Sequence, residues 1–317
     1  MPRHLFLPVV SMLLVLLVSC ISGFSALPLT QEYIPFADLS RTQRIIRSNN
    51  RGVLRDVVKA GIIHEIGYQG YANYPAALKA YKSAAQRGNA FAIAKMGTFI
   101  EAGKTLKLED GQPNLQLALA KYRESASKND AFGMFQLGRV YQNGIGVKAD
   151  LVEAKKWYLM SAERGDIRSN YELGMMESDP TLAYNMFLSA AKKGHAPSQV
   201  KVGLMNENGL GTAENMNRAI FWYANAARGD GGMYAARAML EKLATDGNLK
   251  AQLRLYDMYR DKWLPGMKES EAFRYLRMAA KQGHYMSQIK MAELNVGVNP
   301  HAVQDYLVQF ALAQNER

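Results

Sequence analysis

The amino-acid sequence predicts an all-α protein, a solenoid of antiparallel helix pairs. Three observations predict it. Pairs of small residues recur as Ala84-Ala85, Ser125-Ala126, Ser161-Ala162, Ala190-Ala191, Ala226-Ala227 and Ala279-Ala280, at steps of 41, 36, 29, 36 and 53 residues. Three places before each pair stands a large side chain, at Tyr81, Tyr122, Tyr158, Phe187, Tyr223 and Leu276, with the aromatic of the last copy moved one place to Tyr275. Between these segments the apolar–glycine pairs Met96-Gly97, Leu137-Gly138, Leu173-Gly174 and Val202-Gly203 recur. Self-similarity at such a period marks units that cannot bury an apolar face alone and do so by stacking on one another.

Taken in order, residues 27–35 hold two prolines and no periodicity, which reads as a tether. Asp38 can cap a short helix through about Arg47, with Leu39, Ile45 and Ile46 as its apolar residues, before Ser48-Asn49-Asn50 breaks the pattern. Val53, Leu54, Val57, Val58, Ile62 and Ile66 then fall at helical spacing. The repeats follow. The step of 41 carries extra residues around 104–113, and the step of 29 keeps only Glu177-Ser178-Asp179-Pro180 as its connection. The step of 53 exceeds the modal 36 by 17, room for one more helix at about residues 232–244. Residues 286–316 keep a helix pair without the motif and read as a cap.

Each repeat has its own punctuation. A mid-helix glycine costs roughly 1 kcal/mol relative to alanine, so its recurrence points to close helix packing there. Large residues one turn from small ones allow neighbouring helices to approach. The second helices end in Arg87-Gly88, Arg164-Gly165, Lys193-Gly194, Arg228-Gly229 and Gln282-Gly283. A basic residue there suits the negative end of the helix dipole, and glycine supplies a left-handed cap. These basic residues read as structural first and as ligand contacts second.

The fullest copy spans residues 132–165, with Leu137-Gly138, Tyr141, Gly144-Ile145-Gly146-Val147, Asp150, Ala154, Trp157-Tyr158, Ser161-Ala162 and Gly165. A second carries Val202-Gly203, Gly209-Leu210-Gly211, Ala219, Trp222-Tyr223 and Ala226-Ala227. This unit resembles the Sel1-like repeat, a relative of the tetratricopeptide repeat, over roughly residues 53–312. The resemblance implies a right-handed superhelix of helix pairs and partner binding on an extended, often concave surface. It assigns Gly138, Tyr141, Gly144, Gly146, Trp157, Tyr158, Ala162, Gly203, Gly211, Trp222, Tyr223 and Ala227 to repeat packing. Segments 104–113 and 176–180 depart from the loop pattern.

The N-terminus reads as an address. Arg3 precedes residues 5–18, which are apolar but for Pro8 and Ser11, the length of a signal core and short for a membrane span. Leu17-Val18-Ser19-Cys20 then resembles a bacterial lipobox, in which the signal is cut before a cysteine whose thiol receives a diacylglycerol. Cys20 is the chain's single cysteine, so no intrachain disulfide forms. Cleavage after Ser25 and an uncleaved anchor running through Leu29 are the alternatives. By resemblance to lipoprotein sorting, Ile21 after the cysteine directs the protein to the outer membrane, facing the periplasm. The expected organisation is a lipoprotein signal peptide at 1–19, a lipidated cysteine and tether at 20–36, and a repeat solenoid with capping helices at 37–317.

Hydrophobic residues at 48% and charged residues at 21% exclude wholesale disorder. A formal net charge of +11 suits anionic surroundings, such as an acidic polysaccharide or lipid head groups, or general solubility. The charges form no basic block, and no nucleic-acid partner is expected. Nothing implies a cofactor or a metal. His195 and His284 share one repeat address, directly after the terminal glycine of a second helix, and read as structural rather than ligating. No nucleophile elbow, zinc-helix or phosphate-loop motif occurs, and the glycine-rich loops follow helices, not strands. Acids such as Glu153, Glu163 and Glu172 read as solvated. Trp263, in Lys262-Trp263-Leu264-Pro265-Gly266 where a repeat loop belongs, is the candidate partner contact, with core packing as the alternative.

The expectation is a non-catalytic, lipid-anchored periplasmic scaffold that binds envelope proteins. Its plan, a lipobox joined to such repeats, resembles lipoproteins that support export of alginate-like exopolysaccharide. A flagellar-motor, peptidoglycan-linked or host-interaction role is the alternative. A cell-wall hydrolase is the enzymatic reading, and it lacks a nucleophile–base arrangement.

Overall fold

The computed structural model describes residues 54–67, 72–106, 108–109, 111–228, 234–264 and 266–296, together with 304, 305, 307 and 308. The signal segment, Cys20, the tether and the helix expected from Asp38 lie outside the described residues. So does most of the last helix expected in the tail.

Among the described residues there are fourteen helices and no strands. A first compact unit ends at Asp166. It holds α1 (Leu54–Ile66), α2 (Tyr74–Gln86), α3 (Ala90–Glu101), α4 (Leu115–Ser127), α5 (Ala131–Asn143) and α6 (Leu151–Glu163). A second begins at Ile167. It holds α7 (Ile167–Met176), α8 (Pro180–Lys192), α9 (Ala196–Asn208), α10 (Met216–Ala226), α11 (Tyr234–Thr245), α12 (Leu249–Arg260), α13 (Glu269–Lys281) and α14 (Tyr285–Val296). The additional helix expected near residues 232–244 is α11. Each unit is a helical repeat stack in which short connections turn successive helices back on one another.

Helix starts follow from side-chain chemistry. Asn73, Asn89, Asn114, Asp130, Asp150, Asp179, Asn215 and Asn248 each accept a bond from a first-turn amide. Such a cap contributes about 1 kcal/mol by satisfying a donor that the helix leaves open. The connection between the two helices of a pair is closed the same way in three copies. The amides of Asn73, Asp150 and Asn215 donate to the carbonyls of His64, Tyr141 and Asn206, at 2.7, 2.8 and 2.7 Å. In the shortest connection Asp179 caps α8, with Pro180 at its first position, where a missing N–H costs nothing.

Second helices end on a left-handed residue. Gly88, Gly165, Gly194 and Gly283 have φ of 82, 94, 89 and 86°. After α4 that place is held by Asn129 at φ 61°, the residue that best tolerates this conformation after glycine.

The core joins two features that the sequence presents separately. A Cβ added to Gly61, Gly97, Gly138, Gly174 or Gly203 would lie 2.6, 2.6, 2.5, 2.8 or 2.4 Å from the ring of Tyr81, Tyr122, Tyr158, Phe187 or Tyr223. The aromatic knob of each second helix therefore seats on the glycine of the first helix, not in a notch of its own helix. The four tyrosines are fully buried, and burial of such a ring contributes several kcal/mol.

Two expectations are modified by this packing. Trp157 and Trp222 are only partly buried, at the margins of the clusters around Leu137 and Val202. The chain's neighbouring tyrosines take the centre instead. In the pair Ser161-Ala162 the buried member is Ser161, whose hydroxyl donates to the Ala131 carbonyl at 2.7 Å, while Ala162 is half-buried.

Candidate partner-binding surface

Four places after the helix glycine stands a polar residue that receives the tyrosine hydroxyl. Tyr81 donates to Glu65 at 2.7 Å, Tyr122 to Glu101 at 2.6 Å, Tyr158 to Gln142 at 2.5 Å and Tyr223 to Glu207 at 2.5 Å. Burial first, and the adjacent carboxylate second, push the Tyr81, Tyr122 and Tyr223 hydroxyls far above the ordinary phenol range. They stay protonated and act as donors, not nucleophiles. Against Gly174 of α7 the ring is Phe187 of α8, which has no hydroxyl, and the fourth residue after Gly174 is Ser178.

Two of these acids also carry a cation from the next repeat. Lys95 reaches Glu65 at 2.7 Å, and Arg139 pairs with Glu101. Lys95 additionally lies 5.3 Å from the Phe132 ring centre. The clamp could have been read in the sequence as glycine followed four places later by Glu or Gln, always opposite a tyrosine.

The remaining repeat residues serve the stack as well. Tyr141 is half-buried and its hydroxyl accepts from Arg123 at 3.1 Å. Gly144 caps α5 at φ 66°. Gly146 presses on α4, where its carbonyl accepts from Gln116 at 2.7 Å. Gly211 is the tightest position, since a Cβ there would sit 2.1 Å from the Pro180 carbonyl oxygen, at φ 69°. Ala227 is buried at the end of α10.

His195 and His284 stand before α9 and α14, with Nδ1 at 2.8 Å from Ser198 and Ser287 respectively. His284 also accepts the Ser287 amide at 3.3 Å, whereas His195 makes no side-chain bond to a first-turn amide. Four residues on, Gln199 and Gln288 donate to the carbonyls of Ala191 and Ala280, and Gln252 does the same to Ala244. Among the described residues no three His, Cys, Asp or Glu gather as metal ligands. Glu153, read as solvated, stands at the surface 3.0 Å from Lys156.

Surface features differ between copies. The depression on α11 and α13 is occupied by its own ion pairs, Arg237 lying 2.7 Å from Glu241 and 3.4 Å from Glu271. Trp263 is different. Its amide donates to the Met258 carbonyl at 2.8 Å, as Ile145 does to Val140 and Leu210 to Met205. Trp263 is therefore the loop residue of its repeat, and Lys262, at φ 58°, takes the left-handed place of Gly144 and Gly209. The ring is partly buried against the cluster around Leu255 and Met258. The Arg228 guanidinium lies 4.0 Å from its centre and that of Arg254 5.1 Å. Arg228 lies two residues beyond Ala226, the last residue of α10, and stacks on the indole. Trp263 therefore packs, as the alternative reading had it, and it also gathers two cations of its own chain.

The Sel1 repeat family model matches residues 131–166, 169–195, 196–230 and 268–284. The chain carries Sel1 repeats. This repeat typically builds protein–protein interaction scaffolds that bind through the repeat surface. The Sel1 segments coincide with α5–α6, α7–α8, α9–α10 and the body of α13. A protective antigen of uropathogenic Escherichia coli with an SLR fold aligns at 20% identity, over 88% of this chain and 68% of that one, with a TM-score of 0.46. A Sel1 repeat protein from Oxalobacter formigenes aligns at 22% identity, over 77% and 94%, with a TM-score of 0.47. A Pseudomonas aeruginosa protein aligns at 15% identity, over 73% and 83%, with a TM-score of 0.43. No curated protein matches the chain.

Proposed function

We propose that this chain is a non-catalytic scaffold of the bacterial envelope, held to the outer membrane by lipid on Cys20 and facing the periplasm. It gathers the proteins of an envelope assembly such as an exopolysaccharide secretion complex of the alginate-like kind. The observation that carries this reading is the joining of Sel1 repeats to the lipobox-like Leu17-Val18-Ser19-Cys20. The absence of a catalytic role is part of the proposal. It is supported by the Tyr–Glu pairs, whose donors and acceptors are engaged with one another and with Lys95 and Arg139.

Two measurements test it. A Cys20→Ala chain is expected to leave the membrane fraction, and complete retention there would refute the lipid anchor. Crosslinking of the acylated protein in its native envelope is expected to recover envelope proteins. Recovery of none would remove the scaffold reading.

A further inference from the structure

Two arginines of the second unit have acids to hold. Arg237 pairs with Glu241 and Glu271, and Arg260 with Asp257 and Asp261. Arg228 and Arg254 do not: among the described residues neither makes an ion pair, and the buried Nε of Arg254 finds no acceptor. Both guanidiniums instead lie against the one indole. A guanidinium stacked on an aromatic face keeps its N–H groups in the plane, and that planar fork matches a carboxylate in bidentate geometry. Holding two like charges over one ring leaves a local positive site that an anion would complete.

We propose that Arg228, Trp263 and Arg254 form a binding site for the side-chain carboxylates of an acidic segment on a protein partner. The inference rests on the scaffold reading and names where and by what chemistry one partner docks. The indole anchors the two arginines and is not the stacking platform itself. Arg228 covers one face of the ring at 4.0 Å, and the indole is partly buried against the cluster around Leu255 and Met258, so a carboxylate gripped by the guanidiniums fits better than a sugar stacked on the ring, which favours an acidic peptide over a polysaccharide. The site exists because the loop that ends in Gly-x-Gly elsewhere carries Lys262 and Trp263 here. That replacement brings a large ring to the end of α10, where the basic residue closing a second helix already stands.

The probe is a fluorescein-labelled hexaglutamate peptide, with a hexaglutamine peptide and an oligouronate of equal charge as comparisons. Binding to the detergent-solubilised acylated chain is followed by anisotropy at low and physiological salt. Hexaglutamate is expected to bind and hexaglutamine not. Arg228→Gln with Arg254→Gln is expected to weaken hexaglutamate at least about tenfold, the loss of roughly one charge-assisted bond. Arg260→Gln, whose partners lie elsewhere, is expected to leave binding within about twofold. Arg228→Gln alone is exposed and serves as the second variant, should the double variant melt early by circular dichroism. Equal hexaglutamate binding by Arg228→Gln and the parent overturns the proposal. So does binding of the oligouronate with none of the peptide. In the native envelope, unchanged partner crosslinks to the double variant would sink this site and leave the scaffold standing. Loss of all crosslinks from the parent chain would sink the scaffold itself.

Discussion

The α5–α6 pair and the α12–α13 pair meet the same packing problem with their side chains exchanged. In the first, Gly138 leaves a hollow and Tyr158 fills it. In the second, Tyr256 stands at the position of the glycine, eight residues after the Asn248 cap, and Leu276 stands at the position of the aromatic. Leu276 is buried, and Tyr256 packs against it beside Ala280 and Met291. The polar clamp disappears with the inversion: the fourth residue after Tyr256 is Arg260, which pairs with Asp257 and Asp261 instead. What the stack requires is one ring's volume between the two helices, from either side. The hydroxyl–carboxylate bond is an accessory of the version in which the ring comes from the second helix.

The largest effect expected from breaking this arrangement is Tyr158→Ala. Loss of a fully buried ring costs about 3–5 kcal/mol, read as a lower midpoint in urea unfolding followed by circular dichroism. Trp157→Ala should cost clearly less, because Trp157 sits at the cluster margin. A larger loss at Trp157 than at Tyr158 would reverse the order of importance drawn here.

Gly203→Val should be the next most damaging, at about 1–3 kcal/mol, since its side chain collides with the Tyr223 ring. In a Tyr223→Leu background, which copies the α12–α13 solution, the same change should cost less, with a coupling of about 0.5–3 kcal/mol. Strict additivity in the double-mutant cycle would show that the two positions do not share one hollow.

The tyrosine clamps also set an alkaline limit. Their folded pKa values are raised above the unfolded value of about 10, so their contribution is complete below about pH 10. It is lost as pH rises from there, because the unfolded state releases the proton first. Spectrophotometric titration should show Tyr81, Tyr122 and Tyr223 ionising together with loss of helix. Their ionisation near pH 10 with the helices intact would break the account.

The smallest effect is expected for Trp157→Phe. The buried Nε1 of Trp157 has no acceptor among the described residues. Replacing the indole removes an unsatisfied donor along with some apolar area. These oppose each other at about 1–3 kcal/mol for the first and a comparable amount for the second, so the midpoint should move by less than about 1 kcal/mol. A loss as large as that of Tyr158→Ala would mean that the indole N–H is bonded after all.

Much of the fold was legible because the signals are local and repeated. Helix spacing, terminal glycines and the extra α11 all lie within a few residues of the chemistry that causes them. Asn129 hid only because asparagine stood where glycine was sought. The partner of each aromatic was harder. Tyr158 and Gly138 are twenty residues apart on different helices, and only their contact in space joins them. Glu65, Glu101 and Glu207 carry no signal of their own, because a single carboxylate on a helix looks the same in sequence whether it faces solvent or a buried hydroxyl.

The site around Trp263 divides along the same line. Its ring stood out in the sequence as an aromatic in the wrong loop. That Arg228 and Arg254 converge on it was invisible, since they lie 35 and 9 positions away, and only packing of α10 against α12 and its following loop brings them together. Periodicity, caps and turns are written in neighbouring residues, so the chain alone decides that it forms stacked helix pairs. Which ring fills which hollow, and which cations are left without an acid, depends on contacts between helices. The tertiary structure decides those, because burial and charge pairing are properties of what surrounds a side chain in space, not of its neighbours in the chain.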